Sequence, residues 1–215
     1  DINLYASYSQ GFQPQTAGVL RNPLAGGPFD PLKSSMIEAG AKGEFFEKRL
    51  GVNLALYQII QQNVLVNALD PANPQRMTQR GEERARGFEI DAMGRVLPNL
   101  SITANYAFNE AIITQSSTPE LIGRAKENAP LHQGGFWAKY TFDELVLGGV
   151  LEGLGIGLGG NAVGERFVSD FTFKIPAYTV FDAALYYTVG KFQVSANFYN
   201  IADTKHWVGG YSLVA

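Results

Sequence analysis

Arginines and aromatic rings recur together in the polar stretches of this chain. Phe12, Gln13 and Arg21 lie in the first such stretch, Arg76 and Arg80 in the second, Arg166 and Phe167 in the fourth, and His206 with Trp207 near the C-terminal end. A guanidinium forks onto oxyanions and lies flat against ring faces, so these residue types suit capture of an anionic, aromatic ligand. Long loops are where recognition residues tend to sit. Singly, each residue is ordinary loop polarity; as a set they form the candidate binding surface.

Catalytic chemistry is thinly provided. Only His132 and His206 are present, and there is no cysteine. Neither histidine has zinc-ligand spacing, and nothing places a serine beside either of them. No metal site, no cofactor and no enzymatic activity are expected; an outer-membrane hydrolase is the third-ranked reading. Gly155-Ile156-Gly157-Leu158-Gly159-Gly160 has the letters of a dinucleotide fingerprint. That motif needs a helix after the glycines to hold a pyrophosphate, and the stretch from Asn161 to Ser169 does not read as one. The adjacent pairs Glu82-Glu83 and Asp143-Glu144 point to opposite faces in a strand and are solvated in a loop. Asn99-Leu100-Ser101 matches a glycosylation acceptor, but it sits at an expected tight turn.

The 215 residues carry 17 Lys+Arg against 20 Asp+Glu, a formal charge of -3, which leaves no basic footprint for nucleic acid. Charged residues are 17% of the chain and aromatics 12%, against a usual charged share of roughly a quarter. Such a surface does not face only water. No apolar run reaches the roughly 18 residues of a membrane helix, and the nearest, Leu145 to Leu151, contains two glycines. Asp1-Ile2-Asn3-Leu4 does not open a signal peptide, so the chain reads as processed or as part of something longer.

What must position the loop residues is a set of strands, because period-two alternation recurs where helical periodicity is weak. Leu100, Ile102, Ala104, Tyr106 and Phe108 oppose Ser101, Thr103, Asn105 and Asn109. Phe88, Ile90, Ala92, Gly94 and Val96 oppose Glu89, Asp91, Met93 and Arg95. Phe192, Val194, Ala196 and Phe198 oppose Gln193, Ser195, Asn197 and Tyr199. Weaker versions elsewhere bring the expectation to nine strands, with a tenth possible near the C-terminus. Connections alternate in length: long ones at roughly 10–35, 61–84, 110–132 and 164–176, short ones at Glu47-Lys48-Arg49, Pro98-Asn99 and Gly190-Lys191, and a medium one around Asp143 to Gly153. An up-and-down barrel in an outer membrane sorts its loops in this way.

Alternation does not by itself say which face is buried in what. Turned inward, the apolar faces would crowd many rings into one core, with hydroxyls that need partners. Turned outward, those rings become interfacial girdles, with Tyr106 and Phe108, and Tyr140 and Phe142, at strand ends. Glu38, Lys42, Glu44, Glu89, Asp91, Arg95 and Asp182 then line a polar interior. The fold class expected is all-β, an antiparallel transmembrane β-barrel. Gly153, Gly155, Gly157 and Gly159 share one face, which marks a sheet bend or a close approach by another backbone, inside a barrel a plug.

Several segments carry a family likeness. Leu4-Tyr5-Ala6-Ser7-Tyr8-Ser9-Gln10-Gly11-Phe12, followed by Glu38-Ala39-Gly40-Ala41-Lys42, resembles a strand-to-loop segment of TonB-dependent siderophore receptors. Gly81, Arg84, Gly87, Phe88 and Glu89 resemble that family's strand entering the next hairpin. Gly123-Arg124 with Asn128-Ala129-Pro130 and His132 is similar to its loop-to-strand junction. Ile175-Pro176-Ala177-Tyr178-Thr179-Val180-Phe181-Asp182 and Asn197-Phe198-Tyr199-Asn200-Ile201-Ala202-Asp203 resemble its last strands.

The resemblance implies a roughly 22-stranded outer-membrane barrel closed by an N-terminal plug domain. It implies import of a ferric siderophore, the iron travelling with the ligand, with energy from the TonB-ExbB-ExbD complex reached through the N-terminal region. On this reading residues 1–215 are a C-terminal portion of the barrel, supplying wall and outer loops in the bacterial outer membrane, with the plug before Asp1 and the last strand after Ala215. The rival is a smaller closed β-barrel or a soluble β-sandwich that binds an apolar ligand inside.

Overall fold

The computed structural model describes residues 1–68, 70–116, 118–143, 151–168 and 171–210. Nine strands form one antiparallel sheet: β1 (Ile2–Gln13), β2 (Leu32–Phe45), β3 (Leu50–Asn67), β4 (Met77–Leu97), β5 (Leu100–Gln115), β6 (His132–Thr141), β7 (Leu154–Val163), β10 (Tyr178–Val189) and β11 (Phe192–Phe198). Each pairs with the next in that order, so the sheet is a simple meander. The short β8 (Arg166–Phe167) and β9 (Lys174–Ile175) form a separate hairpin inside the β7–β10 connection. A short α-helix, α1 (Ala17–Leu20), lies in the β1–β2 connection, and a single 3-10 turn (Pro119–Leu121) in the β5–β6 connection.

Register turns the alternation of single strands into two continuous surfaces. One row runs Leu4, Ala41, Leu54, Ile90, Tyr106 across β1 to β5. The row beside it on the opposite face runs Asn3, Lys42, Asn53, Asp91, Asn105. A slip of one residue in any strand would exchange the two surfaces there, so the pattern holds the register.

The apolar surface is not the core of this chain. Leu4 is 80% exposed, Phe192 79% and Val194 70%, whereas the buried hydrophobic residues are Ala25, Ala55, Ala111, Ile113, Val168, Ile175 and Ala184. The large buried ones, Ile113, Val168 and Ile175, sit among the long loops, and no second layer covers the belt among the described residues. Aromatic rings edge the belt on both sides. Phe45, Phe46, Tyr140, Phe142, Tyr187 and Phe192 adjoin the short turns, and Phe88, Tyr106, Phe108, Phe136 and Phe181 lie toward the long loops. A sandwich would bury these side chains, so the rival sandwich reading fails.

Three of the four connections at one end are short, but the β6–β7 connection (142–153) is longer than the β3–β4 connection (68–76) at the other end, and the long connections are shorter than the sequence suggests. Residues 61–67 and 77–84, read as loop, belong to β3 and β4, and residues 110–115 extend β5. β4 runs 21 residues, about twice the 9–11 that cross a bilayer. Tyr106 and Phe108 therefore lie mid-strand rather than at a strand end. Beyond them the outward face turns charged, with Arg86 2.6 Å from Glu110. Residues 199–210 form no tenth strand, and 211–215, like 144–150 and most of the Leu145–Leu151 run, lie outside the described residues.

The glycine strip of β7 meets side chains of this same sheet. A β-carbon at Gly157 would fall 2.5 Å from Trp137 Cζ2, and one at Gly159 2.3 Å from Trp137 Cε3. Tyr186 leans in from β10, close to Gly155 and Gly157. The glycines leave room for two flanking rings on the polar face, a glycine–aromatic pairing that curves sheets.

Candidate functional site

All four long connections and the segment after β11 lie at one end of the sheet. The β5–β6 loop folds back onto the strand it leaves: Gly123 N–H donates to the Ile113 carbonyl at 2.8 Å, Ile113 N–H to Arg124 at 3.0 Å, and Lys126 N–H to Ala111 at 2.8 Å. Beneath it lies an ion cluster. Arg80 Nη1 is 2.5 Å from Glu83 Oε1 and 3.1 Å from Glu127 Oε2, and Lys126 Nζ is 2.5 Å from Glu83 Oε2. Arg80 and Glu83 are buried, and two cations against two carboxylates keep the charges compensated.

On its other side the same loop joins the C-terminal connections. Asn128 exchanges two hydrogen bonds with Gly210, each 3.1 Å, and its own N–H donates to the Phe167 carbonyl at 2.8 Å. Its φ of +54° is the left-handed conformation that asparagine tolerates better than most residues. Arg166, also buried, donates to the Trp207 carbonyl at 2.7 Å and lies over the Tyr178 ring. Tyr178 stacks on His206 at 4.4 Å. Where β11 ends, Asp182 Oδ1 accepts the Asn200 N–H at 2.7 Å, and Asn200 Oδ1 accepts the Thr204 N–H at 2.8 Å.

The first two loops are tied by side-chain amides. Gln79 donates to the Asp30 carbonyl at 2.7 Å and accepts the Asp30 N–H at 3.0 Å, and Asn73 donates to the Leu24 carbonyl at 2.7 Å. Asp70 accepts the Ala72 N–H at 2.9 Å and Arg76 Nη1 at 3.1 Å. The backbone bond from Ala72, then the arginine, holds the Asp70 carboxyl below its ordinary range.

The nine sequence candidates thus fall into two groups at this end. Phe12, Gln13, Arg21, Arg76 and Arg80 belong to β1–β4 and its loops; Arg166, Phe167, His206 and Trp207 belong to the β7–β10 connection and the tail. The β5–β6 loop bridges them through Glu127 and Asn128. Phe12, Arg21, Arg76 and Trp207 are exposed, whereas the charges of Arg80 and Arg166 are met inside. Phe12 shares a register row with Lys33, on the outward face above the belt. Glu83, Lys126, Glu127 and Tyr178 escaped the sequence reading as site residues. Below the loops, the polar face holds a hollow of about 290 Å³ walled by Glu89, Asp91, Asn105, Gln133 and Asn161. No cluster of three or more potential metal-ligating His, Cys, Asp or Glu occurs among the described residues.

A family model described as TonB dependent receptor-like, beta-barrel, matches residues 1–201. The chain is 32% identical over 219 residues to the metal-pseudopaline receptor CntO of Pseudomonas aeruginosa, covering 100% of this chain and 29% of that protein. It is 30% identical over 191 residues to the ferrichrome outer membrane transporter/phage receptor of Escherichia coli, covering 88% and 24%. In backbone it is similar to the siderophore receptor PiuA of Acinetobacter baumannii, with a TM-score of 0.79, 20% identity, and coverage of 98% and 31%. The ferric yersiniabactin uptake receptor FyuA of Yersinia pestis gives 0.78 at 20% identity, covering 99% and 32%. These two structural likenesses speak to fold alone. The chain spans about three-tenths of the length of the first of these relatives.

Proposed function

The chain belongs to the TonB-dependent receptor β-barrel family, and from that membership we propose that it forms a C-terminal portion of the barrel of an outer-membrane importer of ferric siderophores. The observation that carries this reading is the two-faced sheet. Its apolar, aromatic-edged belt suits lipid, its polar face suits a wet lumen, and its long loops gather at one end. The chain supplies wall, lumen surface and outer loops. A plug domain and the TonB-ExbB-ExbD complex, reached through an N-terminal region, supply the gate and the energy.

In the working receptor the loops capture and the lumen conducts. Exposed Arg21 and Arg76 offer charge to an anionic chelate, and Trp207 and Phe12 offer ring surface. Arg166 holds the tail that carries Trp207, and Arg80 ties β4 to the β5–β6 loop. The iron arrives inside its ligand, so the protein needs no resident metal, and the transport step makes and breaks no covalent bond. A metal–pseudopaline complex is the second reading of the cargo, favoured by the 32% identity to CntO across the whole chain.

The test is transport by the full-length receptor. A deletion strain complemented with it is grown under iron limitation on catecholate, hydroxamate and pseudopaline-type chelates, with uptake of radiolabelled metal measured. Receptor-dependent uptake on one ferric siderophore, reduced in Arg21→Ala/Arg76→Ala, supports the proposal. Normal growth of the deletion strain on every chelate, with no metal uptake restored by the receptor, overturns it.

A further inference from the structure

A slot interrupts the apolar belt where β5, β6, β7 and β10 run side by side. One register row across these strands reads Tyr106, Gly134, Ala162, Thr179, a large ring followed by three small residues. The next row, toward the short turns, reads Ala104, Phe136, Gly160, Phe181, with the Phe181 ring lying against Gly160. On the loop side stands His132, paired in register with Phe108. The depression holds about 650 Å³, and no Asp, Glu, Lys or Arg lines it. Its floor does not fill with a side chain, since a β-carbon at Gly134 would lie 2.7 Å from the Asn105 carbonyl oxygen.

Polar atoms occur at the slot's loop-side end. Tyr106 Oη and His132 Nδ1 are 2.7 Å apart, and the Thr179 side chain, another lining residue, carries a hydroxyl. An apolar trough with hydrogen-bonding groups at one end has the polarity of a lipid: tail along the trough, carbonyl or headgroup at its mouth.

We propose that this slot is a binding site for one acyl chain of an outer-leaflet lipid. The inference rests on the outer-membrane reading of the chain. The whole belt around the slot meets acyl chains, so a tail is the apolar species that reaches this depth. A gap left open would forfeit the dispersion contacts of every atom that lines it. The slot is continuous with the belt and closed at its base by Phe136 and Phe181, so a tail enters from the side and is held by the Tyr106–His132 end.

The full-length receptor, reconstituted in vesicles of phosphatidylethanolamine and phosphatidylglycerol, is photolabelled by a phospholipid with a diazirine on its acyl chain. Labelled peptides are mapped by mass spectrometry. Labelling of the 104–108 and 132–136 segments should exceed that of belt residues such as Leu54 or Val194 several-fold. Ala162→Phe, which fills the slot from its exposed side, should remove the excess, while Ala196→Phe, on the same face of β11, should leave it. Both variants are checked for heat-modifiable migration as folded barrels. Uniform labelling along the belt, or an excess that survives Ala162→Phe, overturns the slot while leaving the barrel intact. No labelling on any strand would contradict the membrane reading itself.

Discussion

Arg166 Nη2 donates to the main-chain carbonyl of Trp207 at 2.7 Å, across 41 positions of sequence. The bond uses the tryptophan backbone and leaves the residue 66% exposed at the loop end, so one candidate presents the other. A hydrogen bond to a charged group contributes about 1.5–3 kcal/mol. Arg166→Met should therefore accelerate amide exchange over residues 203–210 while the amides of β7 and β10 keep their protection. Arg166→Lys should restore little, because an ammonium lacks the planar fork that reaches the Gly164 and Trp207 carbonyls from above the Tyr178 ring. Unchanged exchange in both variants would refute the clasp.

Glu83 is the shared anion of the cluster under the β5–β6 loop, meeting Arg80 and Lys126 from its two oxygens. Glu83→Gln leaves two cations short of charge in a buried place, a loss on the order of 3–5 kcal/mol. The heat-modifiability midpoint of the purified receptor should fall, and proteases should cut within residues 116–131. Arg80→Met combined with Glu83→Met should cost less than the two single changes added together.

The Trp137 ring occupies the space that a side chain at Gly159 would need. A β-carbon there would lie 2.3 Å from the ring and 2.6 Å from the Phe136 carbonyl oxygen. Since the carbonyl is fixed by sheet pairing, Gly159→Ala should sharply lower the yield of folded barrel and shift Trp fluorescence. Gly18→Ala, with nothing within 4 Å, should leave both unchanged.

The carboxyl of Asp70 is held below 3.8 by the Ala72 N–H and by Arg76. The closed loop therefore gains stability that is fully present above the unfolded value and lost as pH falls through the lower folded one. A spin label at Ala72→Cys should be restrained at neutral pH and gain mobility as the pH falls below the ordinary carboxylate range, where the lowered Asp70 carboxyl at last takes up its proton. In Asp70→Asn it should be mobile throughout. Equal mobility at both pH values in the parent would remove the role given to this carboxylate.

Much of this was legible in sequence, and what was not has physical reasons. Nine alternating segments became nine paired strands, because lipid on one side and water on the other impose period two. Outside the belt both faces meet water, so Gln61, Gln62, Glu82 and Arg84 carry no alternation and read as loop although they are strand. Arg166 read as a free loop cation because its partner Trp207 lies 41 positions away. Arg80 read so because residues 77–84 pass for loop, which hides the pairing with Glu83 three positions on, and because its second partner, Glu127, lies 47 positions away. The glycine strip of β7 was visible, but Trp137 and Tyr186, the rings it accommodates, come from neighbouring strands that only register identifies.

The central claim is the orientation of the sheet, and single cysteines test it most directly because this chain has none of its own. In the full-length receptor in its native membrane, Ile90→Cys and Val194→Cys should react with a membrane-partitioned maleimide and resist a charged one. Glu89→Cys and Asp91→Cys should show the opposite preference once the plug is loosened with denaturant. Charged reagent labelling Ile90→Cys while the lipid-soluble reagent labels Glu89→Cys would contradict the account.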